Sequence, residues 1–428
     1  MKRSYFSFFI LLLFVFAEAY PTTSHPEKEK SLEQLKEFHQ RGGLPNFFRK
    51  VKHNREVRIG YFGGSITAAG DGWRDLTCNW LRVNFPQTIF RQTNGAIGGT
   101  GSDLGVFRIE KDILRHKPDL VFVEFAVNDG GRTRESILPT MEGIVRKIWE
   151  ADPLIDICFV YTVSEGLCNK LIQGEIHPAT MAMEELAAYY GIPGIHLGME
   201  IARLQKEGKL LFTAEPAENT SKIVFTRDHV HPLSESGHPL YAATVAKYFS
   251  LMQKNTAGKP HILSDPYVAN PWTDARMVVL SGSELSGDWQ KLPATEGIGK
   301  QFSSRLPVIF KGSPGCKAQF RFKGTALGLY DIIGPGTGVI RLHIDGQEKD
   351  VLRFDRYCSY YRLANTILVD NLKDTIHEVE IEVLGENPEK SKILMENHLE
   401  KFKEDPAFFS GSNYYLGNLL IVGDLIEN

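Results

Sequence analysis

Four short stretches of the 428-residue sequence carry groups that can move protons or attack a carbonyl. They are "GGSIT" with Ser65, "NGAIGGTGSDLG" with Gly98 and Gly99, "FAVNDGG" with Asn128 and Asp129, and "RDHVHPLSESGH", where Asp228 precedes His231 by three residues. Taken singly, each is ordinary turn chemistry. Taken together they supply the separate parts of an acyl-transfer site. Serine is a weak nucleophile until a base takes its proton. His231 can be that base, and Asp228 can hold the imidazole in the useful tautomer and stabilise the imidazolium. A tetrahedral intermediate also needs donors aimed at its oxyanion. The backbone N–H groups of Ser65 and Gly99 and the side-chain amide of Asn128 provide three. Trp73, Arg74 and Arg132 stand beside these stretches and are candidates to touch a substrate; Trp73 and Arg74 can equally serve helix packing. So are Tyr357 and Tyr360 in "RFDRYCSYYR", whose rings can stack on sugars.

Two competing motifs fail on particular residues. Gly99 and Gly101 are followed by Leu104 where a dinucleotide-binding G-x-G-x-x-G requires glycine. The nucleophile elbow G-x-S-x-G is absent because position 67 is Thr. No Cys-x-x-Cys occurs and no His/Cys cluster has zinc spacing, so no metal is expected.

The elements around these stretches alternate. "VRIGYF", "TIFRQTNGA", "DLVFVEFAV", "IDICFVYTV" and "IPGIHLG" read as strands, several of them continuous apolar runs. "GWRDLTCNWLRVNF", "SDLGVFRIEKDILRHK", "ILPTMEGIVRKIWEAD", "ATMAMEELAAYYG" and "PLYAATVAKYFSLMQ" have helical spacing. Apolar strands separated by helices imply a parallel sheet covered on both faces. Ligands bind such sheets at the carboxyl ends of the strands, and all four stretches stand at such ends. Beyond residue 275, "AQFRFKG", "ALGLYDIIG", "GVIRLHIDGQ", "NTILVDNL" and "HEVEIEVLG" alternate apolar and polar residues between turn signals. That pattern predicts an antiparallel β-sandwich.

The domain reading is a helical lead-in over 20–55, an α/β domain over 56–255, a Pro/Asn/Gly-rich linker over 256–275 and a sandwich over 276–428, with a helical insertion near 387–405. At the N-terminus, Lys2 and Arg3 precede "SYFSFFILLLFVF", and Ala17–Ala19 offers small residues for cleavage. This is the layout of a secretory signal over 1–19, too short to span a bilayer. No later segment is apolar enough to span, so export to the periplasm or beyond is expected. The five cysteines are few and odd in number, and they read mostly as small buried apolar residues. The formal charge of −3 argues against a nucleic-acid partner.

The four blocks, in this order over roughly residues 56–250, resemble the SGNH (GDSL-type) hydrolase superfamily. Ser65 matches the nucleophile, Gly99 and Asn128 the oxyanion donors, and Asp228 with His231 the Asp-x-x-His pair. The first block reads Gly-Gly-Ser-Ile-Thr where Gly-Asp-Ser-Leu is commoner, which is similar to a subgroup of exported carbohydrate esterases. The resemblance implies a flavodoxin-like three-layer parallel sheet, here followed by a jelly-roll-like antiparallel sandwich. It implies a Ser-His-Asp esterase working through an acyl-enzyme without cofactor. With export and the sandwich, it points to O-acetyl groups on a polysaccharide or oligosaccharide. A lipase or lysophospholipase, an acyltransferase and a catalytically inactive carbohydrate-binding protein are the alternatives.

Overall fold

The computed structural model describes Leu32 and residues 35–53, 56–214 and 221–426. The expected signal segment lies outside the described residues. Among those described, no helix is long and apolar enough to cross a membrane.

Among the described residues, the first strand and helix are the two-residue β1 (Phe38–His39) and α1 (Pro45–Lys52). There follow β2 (Val57–Gly63), α2 (Ser65–Ala68), α3 (Trp73–Asn84), β3 (Phe90–Asn94), α4 (Ser102–Asp112), β4 (Leu120–Glu124) and α5 (Arg134–Ala151). The unit continues through β5 (Asp156–Tyr161), α6 (Glu165–Ile172), α7 (Pro178–Tyr190), β6 (Gly194–His196) and α8 (Gly198–Lys206). A parallel pair, β7 (Leu210–Thr213) and β8 (Ile223–Thr226), precedes α9 (Gly237–Met252).

The main sheet has the order β1-β6-β5-β4-β2-β3. Strands β2 to β6 are parallel, and only the edge strand β1 runs the other way. The lead-in is therefore not merely helical, because Phe38 and His39 add a strand to β6. Alternate residues of the apolar runs enter opposite cores. Val121 and Val123 of β4, with Ile157 and Phe159 of β5, face a core that includes Ile144 and Ile148 of α5. Phe122, Cys158 and Val160 face the other, with Phe47, Trp73 and Phe249. A strand buried on both faces has no need of polar alternation, which is why these segments are unbroken apolar runs. After β2 the chain steps outward to β3, and after β4 it steps the other way to β5. The carboxyl ends of β2 and β4 thus flank the point where strand order reverses, the place where such sheets open a crevice.

The second region is antiparallel. Its strands are β9 (Ala275–Val278), β10 (Leu285–Ser286), β11 (Trp289–Lys291), β12 (Phe310–Gly312) and the 17-residue β13 (Lys317–Ile333). The rest are β14 (Val339–Ile344), β15 (Gln347–Leu352), β16 (Arg362–Val369), β17 (Thr375–Val383) and β18 (Tyr414–Ile426). β13 pairs β17 with its first half and β16 with its second, and its register against β18 shifts between Gly324 and Ala326. The long strand therefore serves both halves of one large bent sheet. Short helical turns over residues 390–409 form the insertion. Lys390 anchors them by donating to the carbonyls of Pro335, Phe409 and Gly411 at 2.7–2.8 Å.

The two regions share a core. Trp272, Ile309, Ala326, Tyr330 and Leu420 belong to the same apolar cluster as Phe107 and Ile144. Trp272 packs its ring 5.7 Å from Phe107, and Lys147 of α5 donates to Ala275 O at 2.8 Å. Each fully buried large apolar side chain stabilises such a contact by roughly 1.5–3 kcal/mol. The Pro/Asn/Gly-rich segment expected as a linker is strapped down too. Tyr267 and Val268 donate their N–H groups to Glu142 at 2.6 and 2.8 Å, and His261 stacks on Trp149. All five cysteines are buried free thiols.

Candidate active site

β2 ends at Gly63, Gly64 remains extended, and Ser65 opens the four-residue α2. Neighbouring side chains explain both glycines. A Cβ on Gly63 would press into the Glu124 carbonyl and carboxyl, and one on Gly64 would fall on Asn128 Oδ1. The aspartate commoner at the second position would collide with Asn128 in this arrangement.

Ser65 Oγ lies 2.8 Å from His231 Nε2, and His231 Nδ1 lies 2.6 Å from Asp228 Oδ2. With Nδ1–H donating to Asp228, the Nε2 lone pair is left to accept from the Ser65 hydroxyl. Asp228 Oδ1 accepts from the Val230 and His231 N–H groups at 3.0 and 2.7 Å. Partial burial of Asp228 works against its ionisation, but these donors and the His231 ring hold its carboxyl below the ordinary carboxylate value. The turn between the two residues places His229 in the left-handed region at φ +67°. His229 N–H donates to Thr226 Oγ1 at 2.8 Å, and its ring meets Glu165 at 2.8 Å. The loop is thus anchored at both ends, although the Asp228 and His231 side chains are half exposed.

The residues expected to bind the oxyanion come from two loops. Gly99 follows β3 at φ +72°, a left-handed conformation that suits glycine. A Cβ there would meet nothing within 4 Å, so the backbone angle, not crowding by protein, demands the glycine. Gly98 lies over Ser65, its notional Cβ 3.5 Å from that of the serine. Ile97 N–H donates to Gly63 O at 3.0 Å, which ties the Gly99 loop to the end of β2. Asn128 follows β4 with Oδ1 turned toward Gly64. The next residue, Asp129, is fully buried and accepts from Ser102 N–H at 3.0 Å and Arg132 at 3.2 Å. Burial raises the Asp129 pKa against the pull of Arg132. Beneath both loops Glu124 is buried at the end of β4, accepting from Thr162 at 2.7 Å and Thr67 at 2.9 Å. Burial pushes it up to about 7, against those hydrogen bonds.

Residues 61–238 match the GDSL-like Lipase/Acylhydrolase family. The first domain is a GDSL-like acylhydrolase domain. The match places an ester-hydrolase family domain in the first region of the chain. No curated protein sequence matches the chain. Two solved structures share the arrangement of both regions. One is a two-domain esterase (CEX) active on acetylated mannans, with TM-score 0.69, 20% identity, and coverage of 91% of this chain and 97% of that one. The other is the same kind of esterase co-crystallised with mannopentaose, with TM-score 0.67, 19% identity, and coverage of 89% and 94%. These likenesses establish a parallel-sheet α/β fold followed by a large antiparallel sheet domain.

Around the GDSL-like site, the residues expected to touch a substrate divide. Trp73 does not face the site: it is wholly buried, packed edge-on against Tyr61 and Phe122. Of the two roles open to it from the sequence, substrate contact and helix packing, the structure gives it packing. Arg74 is likewise a brace, buried and donating to Thr67 O, Ala69 O and Asp75. It holds the far end of α2. Arg132 is committed to Asp129 and to Ser102 Oγ at 2.9 Å. Tyr357 is exposed, with the Arg356 guanidinium 4.8 Å over its ring. Tyr360 lines a cleft of about 560 Å³ that runs from Gly98, Gly99 and Thr100 to Arg353, Asp355 and Arg362 of the second region.

That second wall is built largely from the stretch "RFDRYCSYYR", the source of the candidates Tyr357 and Tyr360. Arg353 pairs with buried Asp331, Arg362 pairs with Asp355, and Asn365 donates to Asp103 at 2.9 Å across the two regions. Glu124 was missed. The available signal was a lone carboxylate inside the apolar run "LVFVEFAV".

Proposed function

We propose that the chain is an exported serine esterase that removes O-acetyl groups from a polysaccharide or oligosaccharide. The observation that carries this reading is the hydrogen-bonded relay Ser65–His231–Asp228. It stands beside Gly99 and Asn128 at the point where strand order reverses. Ser65 Oγ attacks the ester carbonyl while its proton passes to His231 Nε2. The oxyanion accepts from Ser65 N–H, Gly99 N–H and the Asn128 amide. Collapse expels the sugar oxygen, which takes the proton from His231, and leaves an acetyl-serine. Water then attacks the acetyl-serine, giving its proton to His231 Nε2, and collapse expels Ser65 Oγ, which takes that proton back as acetic acid leaves and ionises to acetate.

The glycan half of the reading is supported by the cleft that joins Gly99 to Tyr360, and by the acetylated mannans on which the two-domain esterase acts. Export is supported by the basic and apolar N-terminal run of the sequence. The test is acetate release from a panel of acetylated polysaccharides, beside a chain-length series of 4-nitrophenyl esters. Acetate preference with release from at least one glycan is expected. Preference for long acyl chains would replace the reading with a lipase.

A further inference from the structure

The peptide unit joining Gly63 to Gly64 sits between two buried ionisable side chains that take no part in the proton relay. On its carbonyl side, Arg108 Nη2 donates to Gly63 O at 3.2 Å. The same guanidinium donates to Gly95 O and to Thr100 Oγ1, and pairs with Asp112 at 3.1 Å. On its amide side, Gly64 N–H donates to the Glu124 carboxyl, which also accepts from Thr67 and Thr162. Arg108 and Glu124 are only 2% and 1% exposed. Burying ionisable groups is costly unless they are paired and hydrogen-bonded. Here the partners converge on one spot in the backbone.

That spot needs holding. Glycines are required at 63 and 64 because Glu124 and Asn128 crowd them, yet consecutive glycines are the loosest backbone available. Ser65 N–H, a proposed oxyanion donor, belongs to the next peptide unit along. A peptide is planar, so gripping its oxygen and its N–H fixes the unit as a whole. Hydrogen bonds to charged groups are roughly twice as strong as neutral ones. Burial lowers the Arg108 pKa to about 10, which leaves it charged at neutral pH.

We propose that Arg108 and Glu124 are positioning residues that clamp the Gly63–Gly64 peptide from opposite sides and so fix Ser65 against His231 and the oxyanion loop. Arg108 carries the restraint to the Gly99 loop through Gly95 and Thr100. Glu124 carries it to β5 through Thr162 and to the nucleophile's helix through Thr67. The inference rests on the esterase reading.

The test uses the full chain, with 4-nitrophenyl acetate turnover, phosphonylation of Ser65 by a fluorophosphonate, and thermal unfolding measured side by side. Glu124→Gln keeps the shape and one acceptor oxygen but replaces the other with a donor, and Arg108→Lys keeps the charge but removes the fork. In each, kcat and the phosphonylation rate should fall together by on the order of tenfold or more, as expected of a displaced nucleophile. KM should stay within about twofold, because ground-state binding is not what the clamp supplies. The double variant should lose less than the product of the single losses, since both residues hold one peptide.

A folded Glu124→Gln chain with wild-type kcat overturns the clamp. So does a loss confined to KM or to the melting temperature, and so does full multiplication in the double variant. If Glu124→Gln does not fold, Thr67→Val and Thr67→Ser decide. Valine must lower both rates and serine must recover most of the loss, and failure of either overturns the clamp. Wild-type chain that neither turns over ester nor labels at Ser65 overturns the esterase reading and the clamp with it. Active, labelled wild type beside unaffected variants overturns the clamp alone.

Discussion

The two flanks of Ser65 are built on opposite plans. On the acid–base flank, Asp228 and His231 are half exposed and hydrogen-bonded to each other within one turn, three residues apart. On the oxyanion flank of the proposed reaction, the supports are buried ionisable groups, Glu124, Arg108 and Asp129, whose partners include segments far apart in sequence. The difference follows from the work each side does. In the proposed reaction the imidazole trades protons with an incoming water and a departing alcohol, so access to solvent is useful there. Oxyanion donors act only if they already stand in place when charge develops. Rigidity matters on that side, and water would weaken it.

The comparison makes graded demands. Ser65→Ala removes the atom both flanks serve, and kcat on 4-nitrophenyl acetate should fall on the order of 10⁶-fold. Asp228→Ala tests the exposed flank. A buried triad aspartate costs roughly 10⁴-fold when lost, and half-exposed Asp228 works through a more screened field, so a loss nearer 10³-fold is expected. A loss equal to that of Ser65→Ala would break the contrast. Asn128→Ala removes one donor from the rigid flank and should cost about 10²–10³ in kcat with little change in KM.

Further from the reacting atoms, Tyr360→Ala should raise KM for an acetylated oligosaccharide several-fold more than KM for the aryl ester. Equal effects on both substrates would remove Tyr360 from the glycan wall. The smallest effect concerns stability. His238, buried on the acid–base flank, accepts the Trp73 N–H at 3.1 Å and has its pKa lowered by burial to about 4. Between about 6.5 and 4 the unfolded chain binds a proton here that the native chain does not. By linkage this contribution to stability falls as pH drops through that window. Melting temperature against pH should be less steep there in His238→Gln, whose amide oxygen can still accept from Trp73.

Much of the α/β unit was legible because β4 and β5 are apolar on both faces, and such runs have few other readings. The site was legible as an ordered set: Ser65, Gly99, Asn128, Asp228 and His231 each look ordinary, and the structure brings the serine, histidine and aspartate into one hydrogen-bonded line. For residues beside the set, the structure chose between the two roles left open. Trp73 and Arg74 follow the nucleophile closely in sequence, but helical rotation turns one into the core and the other onto α2. Arg108 escaped notice because its partners are backbone oxygens at Gly63 and Gly95, and backbone atoms leave no trace in a residue pattern. β13 looked like two strands because a bulge and Gly324 interrupt its alternation. β1, at two residues, is too short to carry any period.

The shared apolar contact between the two regions has a consequence for modularity. A chain cut at Asn255 would lose Trp272, Ala326, Tyr330 and Leu420 from the core they share with Phe107 and Ile144. The α4–α5 face would then present oily surface to water. It would also lose the Tyr360 side of the cleft, so the piece left behind would be sticky as well as incomplete. The β-rich half is thus no detachable accessory to be traded between enzymes. Any chimaera that exchanges it must carry the matching face of α5 along.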